Sequence, residues 1–105
     1  MKVFLIRKNT GVDAKGEFDV VTKHLIVLKG SKVSSEISKS EKFRGAGTIE
    51  KYRNQYTKAL VVTQDVEFKS PSTAANFVTG ISTNGLIAWK TEEGKTIKSF
   101  MEQEG

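Results

Sequence analysis

The sequence predicts a single α+β domain over residues 1–105, a mostly antiparallel sheet of about four or five strands with two or three helices packed on it. Three observations lead to this prediction. A chain of 105 residues has the size of one small domain. Short apolar runs typical of strands are separated by segments with apolar residues at helical spacing. The chain has no cysteine, so an apolar core must hold the fold together.

The first strands are expected near the N-terminus. Residues 3–6 form a continuous apolar run, which predicts a short buried strand over residues 1–7. Two apolar groups within residues 18–28 form either one long bent strand or a hairpin turning at Thr22 and Lys23, and the sequence leaves both open. Residues 32–47 are polar and poor in large apolar side chains, which indicates a mobile loop.

A helix and a strand are expected next. Ile49, Tyr52 and Tyr56 recur at helical spacing, which predicts an amphipathic helix over residues 48–60. Apolar and polar residues then alternate with period two, which predicts a strand over residues 61–68 with one solvated face.

The C-terminal third begins with the strongest local signals. Ser70 is a good N-cap, Pro71 suits the first helical position and Gly80 suits a left-handed end, so a two-turn helix is predicted over residues 70–80. Asn84 and Gly85 then predict a tight turn before a last strand over residues 86–89. Apolar residues after position 95 indicate a short terminal helix.

The net charge of +5 is concentrated in residues 1–52, and the other half of the chain is neutral. A basic half is typical of a phosphate-binding surface, although lysines also keep small proteins soluble and cover strand edges. Fourteen of the 17 basic residues are lysine. Lysine binds phosphate as a point charge and lacks the planar guanidinium by which arginine makes two hydrogen bonds to guanine. Any nucleic-acid binding is therefore expected to be weakly sequence-specific.

Catalytic chemistry is not expected. His24 is the only histidine, so the usual sets of two or three imidazoles that bind a metal cannot form within one chain. It lies beside an apolar strand without a recognisable nucleophile and orienting acid, which favours a half-buried histidine over a catalytic base. A small hydrolase built on His24 and acids is the remotest alternative. We expect no enzyme activity, no cofactor and no metal.

The best candidate site is the start of the predicted Ser70 helix. Free N–H groups at a helix start attract anions, and Lys69 with the Ser70 and Ser72 hydroxyls can hold a phosphate, although capping explains the same residues. Trp89 beside Lys90 is either a stacking platform with a cation next to it or a core residue. The predicted nucleic-acid site combines residues from these two places and from the basic half: Lys69, Ser70, Ser72, Lys90, Lys29 and Lys32.

Residues 68–75 (FKSPSTAA) are followed at fixed spacing by a set of landmark residues. They are Val78, Gly80, Ser82, Asn84, Gly85, Trp89 and Lys90. Together with VLKGS at residues 27–31, this pattern resembles an uncharacterised bacterial and archaeal domain family that is often fused to the C-terminus of a GIY-YIG endonuclease domain. It is more weakly similar to a domain found with restriction enzymes and adenine methylases. Both resemblances imply an association with DNA, but this chain carries no GIY-YIG nuclease whose activity can be transferred.

The expected function is a non-catalytic binding module for nucleic acid, which acts alone or positions a protein partner such as a nuclease. The alternative is a protein-interaction or oligomerisation domain that uses an apolar patch at Tyr52 and Tyr56 or a free sheet edge. No segment approaches the roughly 20 apolar residues that span a membrane. A cytoplasmic protein, more often monomeric than obligately oligomeric, is expected.

Overall fold

The computed structural model describes residues 1–38 and 45–104. Within these residues, six strands and four helices follow one another along the chain, with a 3-10 turn at Lys8–Thr10. The elements are β1 (Lys2–Arg7), β2 (Val12–Phe18), β3 (Leu25–Val27), α1 (Ala46–Tyr56), β4 (Thr57–Lys58), β5 (Val61–Val62), β6 (Val66–Phe68), α2 (Pro71–Thr79), α3 (Gly85–Ala88) and α4 (Ile97–Glu104).

The main sheet has four antiparallel strands in the order β1-β2-β3-β6, and β4 and β5 form a separate two-stranded sheet. This confirms the predicted α+β class, with four helices instead of two or three. Lys90 extends the sheet beyond β1: the Phe4 N–H donates to the Lys90 carbonyl at 2.7 Å and the Lys90 N–H to the Phe4 carbonyl at 2.9 Å.

One face of the sheet forms the core. Val3, Leu5, Ala14 and Val27 are among its buried residues, and α2 packs over β2, β3 and β6. Ala74 and Ala75 of α2 are fully buried, since small side chains let the helix approach the sheet closely.

Residues 18–28 form a hairpin instead of one bent strand. The first strand of this hairpin is β2, which begins at Val12, six residues before the apolar group that indicated it. The sequence pattern did not show this start because two of the buried positions are occupied by the small residues Ala14 and Gly16. The Asp19 carboxylate accepts hydrogen bonds from the Val21 and Thr22 N–H groups at 2.8 and 3.2 Å and holds the hairpin tip together. These bonds, led by that from Val21, lower the pKa of Asp19 below its ordinary value of 3.8.

Residues 57–68 are divided between two sheets, so the single strand over residues 61–68 is wrong. Ala59 and Leu60 have φ of 51° and 67° and form the tight turn between β4 and β5, which also ends α1 four residues before its predicted end. Residues 63–65 separate β5 from β6, and β6 joins the main sheet beside β3.

The helix at Ser70 is confirmed. The Ser70 hydroxyl accepts a hydrogen bond from the Thr73 N–H at 3.1 Å, and Gly80 ends α2 with φ of 74°. The predicted strand over residues 86–89 is wrong: the chain forms α3, and the Asn84 side chain caps it by accepting from the Leu86 N–H. Of the predicted mobile loop over residues 32–47, residues 39–44 lie outside the described residues.

Candidate nucleic-acid interface

The two hydroxyls at the start of α2 are engaged within the fold. Ser70 caps the helix, and the Ser72 hydroxyl accepts a hydrogen bond from the Gly85 N–H at 3.0 Å. The Trp89 indole is fully buried and its N–H donates to the Pro71 carbonyl at 3.0 Å. The start of α2 is therefore packed against α3 and the residue that follows it.

The four lysines of the predicted site lie in different places. Lys69 follows β6 at one edge of the sheet, and Lys90 lies beyond β1 at the other, four strand spacings or about 19 Å across. Lys29 lies past the opposite end of the β3–β6 pair, where its backbone N–H donates to the Asp65 carboxylate at 2.8 Å. Lys32 pairs with Asp13 of β2. The six predicted residues therefore do not form one compact site.

The sheet face opposite the core carries a different group of side chains. Phe4 lies directly opposite Lys15 of β2 on one side and Lys90 on the other. Residues directly opposite each other on antiparallel strands project from the same face, and so do residues two apart along a strand. Lys2 therefore joins this group. We call Phe4, Lys2, Lys15 and Lys90 the Phe4 cluster; its lysines are exposed and Phe4 is half-buried.

The rest of this open face is mixed. Ile26 and Leu28 of the β3 region are half-buried, and Ile6 is 57% exposed. The same alternation places Asp13 and Glu17 of β2 and Glu67 of β6 on this face. Lys32, opposite Asp13, also belongs to it. The lysines of the Phe4 cluster thus lie within one strand spacing of β1, whereas the carboxylates of this face lie on β2 and β6.

Sequence reasoning missed three members of the Phe4 cluster. Residues 3–6 are all apolar, so the run indicated a strand buried on both faces and hid Phe4. The available signal was the alternation of β2, where Asp13, Lys15 and Glu17 mark a solvated face. A partner strand of β2 has to share that face.

His24 pairs with Glu67, with its Nδ1 atom 2.6 Å from the carboxylate oxygen, and both side chains are partly exposed. Within residues 1–38 and 45–104, no three His, Asp or Glu side chains form a group suited to a metal ion. His24 and Glu67 therefore form a paired contact at the sheet surface, beside Asp19 and Glu17.

Arg53 is a buried cation that sequence reasoning also missed. Its guanidinium donates to the carbonyls of Phe77 and Val78 at 2.8 and 3.3 Å, and to the carbonyl and hydroxyl of Ser34 at 2.5 and 2.9 Å. Burial lowers the pKa of Arg53 to about 10, so it stays protonated at neutral pH. It stabilises the C-terminal end of α2, where orphan carbonyls and the helix dipole favour a cation.

A cleft of about 1170 Å³ lies beside Arg53. Its described lining carries two cations, Arg7 and Arg53, and two acids, Glu36 and Glu50. Because these charges balance, the described part of the lining does not favour an anionic or a cationic ligand.

Tyr52 and Tyr56, considered above as an interaction patch, are half-buried. Their ring centroids lie 6.1 Å apart, and Tyr52 meets the edge of Phe68 at 5.3 Å. Both rings thus pack against the core cluster. Among the helices described, none has the length and apolarity needed to cross a membrane.

Four of the landmark residues of the C-terminal half contact one another. Pro71 accepts from Trp89, Ser72 accepts from Gly85, and a Cβ added to Gly85 would lie 2.1 Å from the Pro71 carbonyl carbon and oxygen. These four residues thus form one packed junction at α2 and α3. The model of the family described as Domain of unknown function (DUF4357) matches residues 4–101, which include this junction. No curated protein and no solved structure matches the chain. The chain belongs to the DUF4357 family.

Proposed function

We propose that this domain is a non-catalytic module that binds nucleic acid on its open sheet face. The observation that carries the proposal is the Phe4 cluster, a half-buried aromatic ring on the open face with lysines directly opposite it on both neighbouring chain segments. A base stacks on Phe4, and the phosphates on either side of that base meet Lys2, Lys15 and Lys90.

The chemistry of the cluster suits a ligand without a defined sequence. Stacking on an aromatic side chain contributes about 1–3 kcal/mol per base and tolerates every base. Lysine contacts with phosphate release counterions, so they strengthen binding at low salt without reading the bases. A rigid sheet holds these groups in place through backbone hydrogen bonds, which favours a preformed surface.

The proposal keeps Lys90 from the predicted site and adds Phe4, Lys2 and Lys15. It does not use the Ser70 and Ser72 hydroxyls, which already have partners within the fold. Binding to a partner nuclease stays a prediction from the family resemblance.

Fluorescence anisotropy with labelled single-stranded 12-mers of DNA and RNA, at about 50 and 200 mM salt, tests the proposal. Lys15→Gln and Lys90→Gln should each weaken binding and lower the salt slope by about one. Phe4→Leu should weaken binding at both salt concentrations, and Phe4→Tyr should retain it. Lys58→Gln, an exposed lysine on β4, is the matched control.

Two results would contradict the proposal: no saturable binding to any oligonucleotide, or binding that Phe4→Leu and Lys58→Gln leave equally unchanged. Lys69→Gln separates this surface from the helix start predicted by the sequence. A loss confined to Lys69→Gln would move the site to α2.

A second candidate function is protein contact at the β1 edge. Ile6 is 57% exposed there. It lies two residues beyond Phe4, the residue of β1 that pairs with Lys90. An unpartnered edge with an exposed apolar side chain is a common place for strand pairing between chains. Sedimentation at rising concentration tests this candidate, because self-association would give a mass above 11.6 kDa that Ile6→Lys abolishes.

A further inference from the structure

We infer that the open face accepts a single nucleic-acid strand at the Phe4 cluster and rejects a duplex, because carboxylates lie farther across the face, on the side where the second backbone would run. This inference rests on the proposed function and names the class of nucleic acid that the Phe4 cluster takes.

The cations of the Phe4 cluster all lie within one strand spacing of β1. Lys2 is on β1 itself, Lys15 is on β2, and Lys90 is on the outer side, each neighbour being about 4.8 Å away. These lysines form a compact cationic strip about 10 Å across the strands and about 7 Å along β1, which matches a short segment of one backbone.

The far side of the same face is acidic. Glu67 lies on β6, three strand spacings or about 14 Å from β1, and its side chain is 59% exposed. Asp65, exposed, comes just before this strand. Among the described residues, Glu67 pairs with His24 and the N-terminal amine pairs with Glu17, whereas Lys69 forms no ion pair with Glu67.

Carboxylates also lie between the lysines at β1 and Glu67 on β6. Asp13 and Glu17 flank Lys15 on β2, one strand spacing from β1. Lys2 lies directly opposite Glu17, so that carboxylate is partly compensated, whereas Asp13 has the exposed Ile6 opposite it on β1. Lys32 faces Asp13 from the other side.

A duplex presents two phosphate backbones at fixed separations. In B-DNA the groove between them is about 12 Å wide on the major side and about 6 Å wide on the minor side, and these widths exclude the thickness of the backbones themselves. With one backbone on the lysine strip, the second therefore lies farther across the face toward β6, where Glu67 is exposed. A single strand has no second backbone and meets only the strip.

The test compares the Kd of labelled single-stranded 12-mers with that of 12-base-pair duplexes of DNA and of RNA, at pH 8 and about 100 mM salt. The wild-type domain should bind the single strands at least about tenfold more tightly, because only the duplexes place a second backbone on the Glu67 side of the face. Glu67→Lys changes the charge by two units on that side, which should raise duplex affinity about fivefold. Single-strand affinity should change less than about twofold.

The matched control is Glu50→Lys, which makes the same change in net charge on α1, a helix that packs against α2 on the other side of the sheet. Trp89 fluorescence verifies the fold of each variant. If Glu67→Lys does not fold, Glu67→Gln should shift the ratio in the same direction by about half as much in free energy.

The outcomes separate the two proposals. Duplexes that bind as tightly as single strands, or a ratio that Glu67→Lys and Glu50→Lys change equally, would overturn the inference while leaving nucleic-acid binding intact. No binding to any of the four oligonucleotide types would overturn the proposed function itself.

Discussion

Replacing Gly85 with alanine should destabilise the domain more than its small size suggests. Gly85 is the first residue of α3, and its φ is not in the left-handed region, so backbone conformation does not demand glycine. The constraint is space. A Cβ there would lie 2.1 Å from the carbonyl carbon and oxygen of Pro71 and 2.4 Å from the Ser72 nitrogen. All three are backbone atoms, which cannot move aside by rotation of a side chain.

The loss of stability can be estimated from the displacement of α3 that the added Cβ requires. Restoring ordinary contact distances moves α3 from α2 by about 1 Å, and strain of this kind costs about 1–3 kcal/mol. The same movement stretches the hydrogen bonds from Gly85 to Ser72 and from Trp89 to Pro71, both 3.0 Å long. Each contributes about 1 kcal/mol. The expected loss is about 3–5 kcal/mol, a large part of the roughly 5–15 kcal/mol of a typical domain.

Urea unfolding followed by Trp89 fluorescence measures this loss, since Trp89 is the single tryptophan and is fully buried. Gly47→Ala is the matched control: Gly47 lies in α1, where an added Cβ would meet nothing within 4 Å. It should gain up to about 1 kcal/mol from helix propensity. A Gly85→Ala variant within 1 kcal/mol of the wild type would refute the reasoning about the α2–α3 junction.

Three further predictions concern stability. Arg53→Met should cost about 3–5 kcal/mol in thermal unfolding, because buried carbonyls at the end of α2 lose their donor, and a loss below 1 kcal/mol would contradict that role. Ala59→Asn should gain about 0.5–1 kcal/mol in urea unfolding, since asparagine tolerates a φ of 51° better than alanine; an unchanged midpoint would mean that the turn is unstrained. Asp19 has a lower pKa in the folded protein than in the unfolded chain, so its contribution to stability is complete above the unfolded value of 3.8 and is lost as pH falls through the folded value. NMR titration of the Asp19 carboxyl should show this lowered pKa, and Asp19→Asn should remove that part of the acid dependence of stability. A carboxyl that titrates at its ordinary pKa would contradict the prediction.

Local signals predicted the elements whose formation depends on near neighbours. The α2 helix is the clearest case, because Ser70, Pro71 and Gly80 act on the backbone within one turn of their own positions. The same reasoning failed at Asn84 and Gly85, a pair that suits either a hairpin turn or a helix start. The contact with Pro71, 14 residues away from Gly85, accompanies the helix there.

The candidate site shows the same division more sharply. Composition and charge pattern established a small, basic, lysine-rich α+β domain without cysteine, and they pointed to phosphate as the ligand chemistry to test. Only the tertiary structure placed Phe4 between Lys15 and Lys90, and set Lys69 at the opposite edge of the sheet from Lys90. Strand register and strand order join residues up to 86 positions apart through backbone hydrogen bonds. Periodicity reports which residues of one element share a face, but not which elements become neighbours.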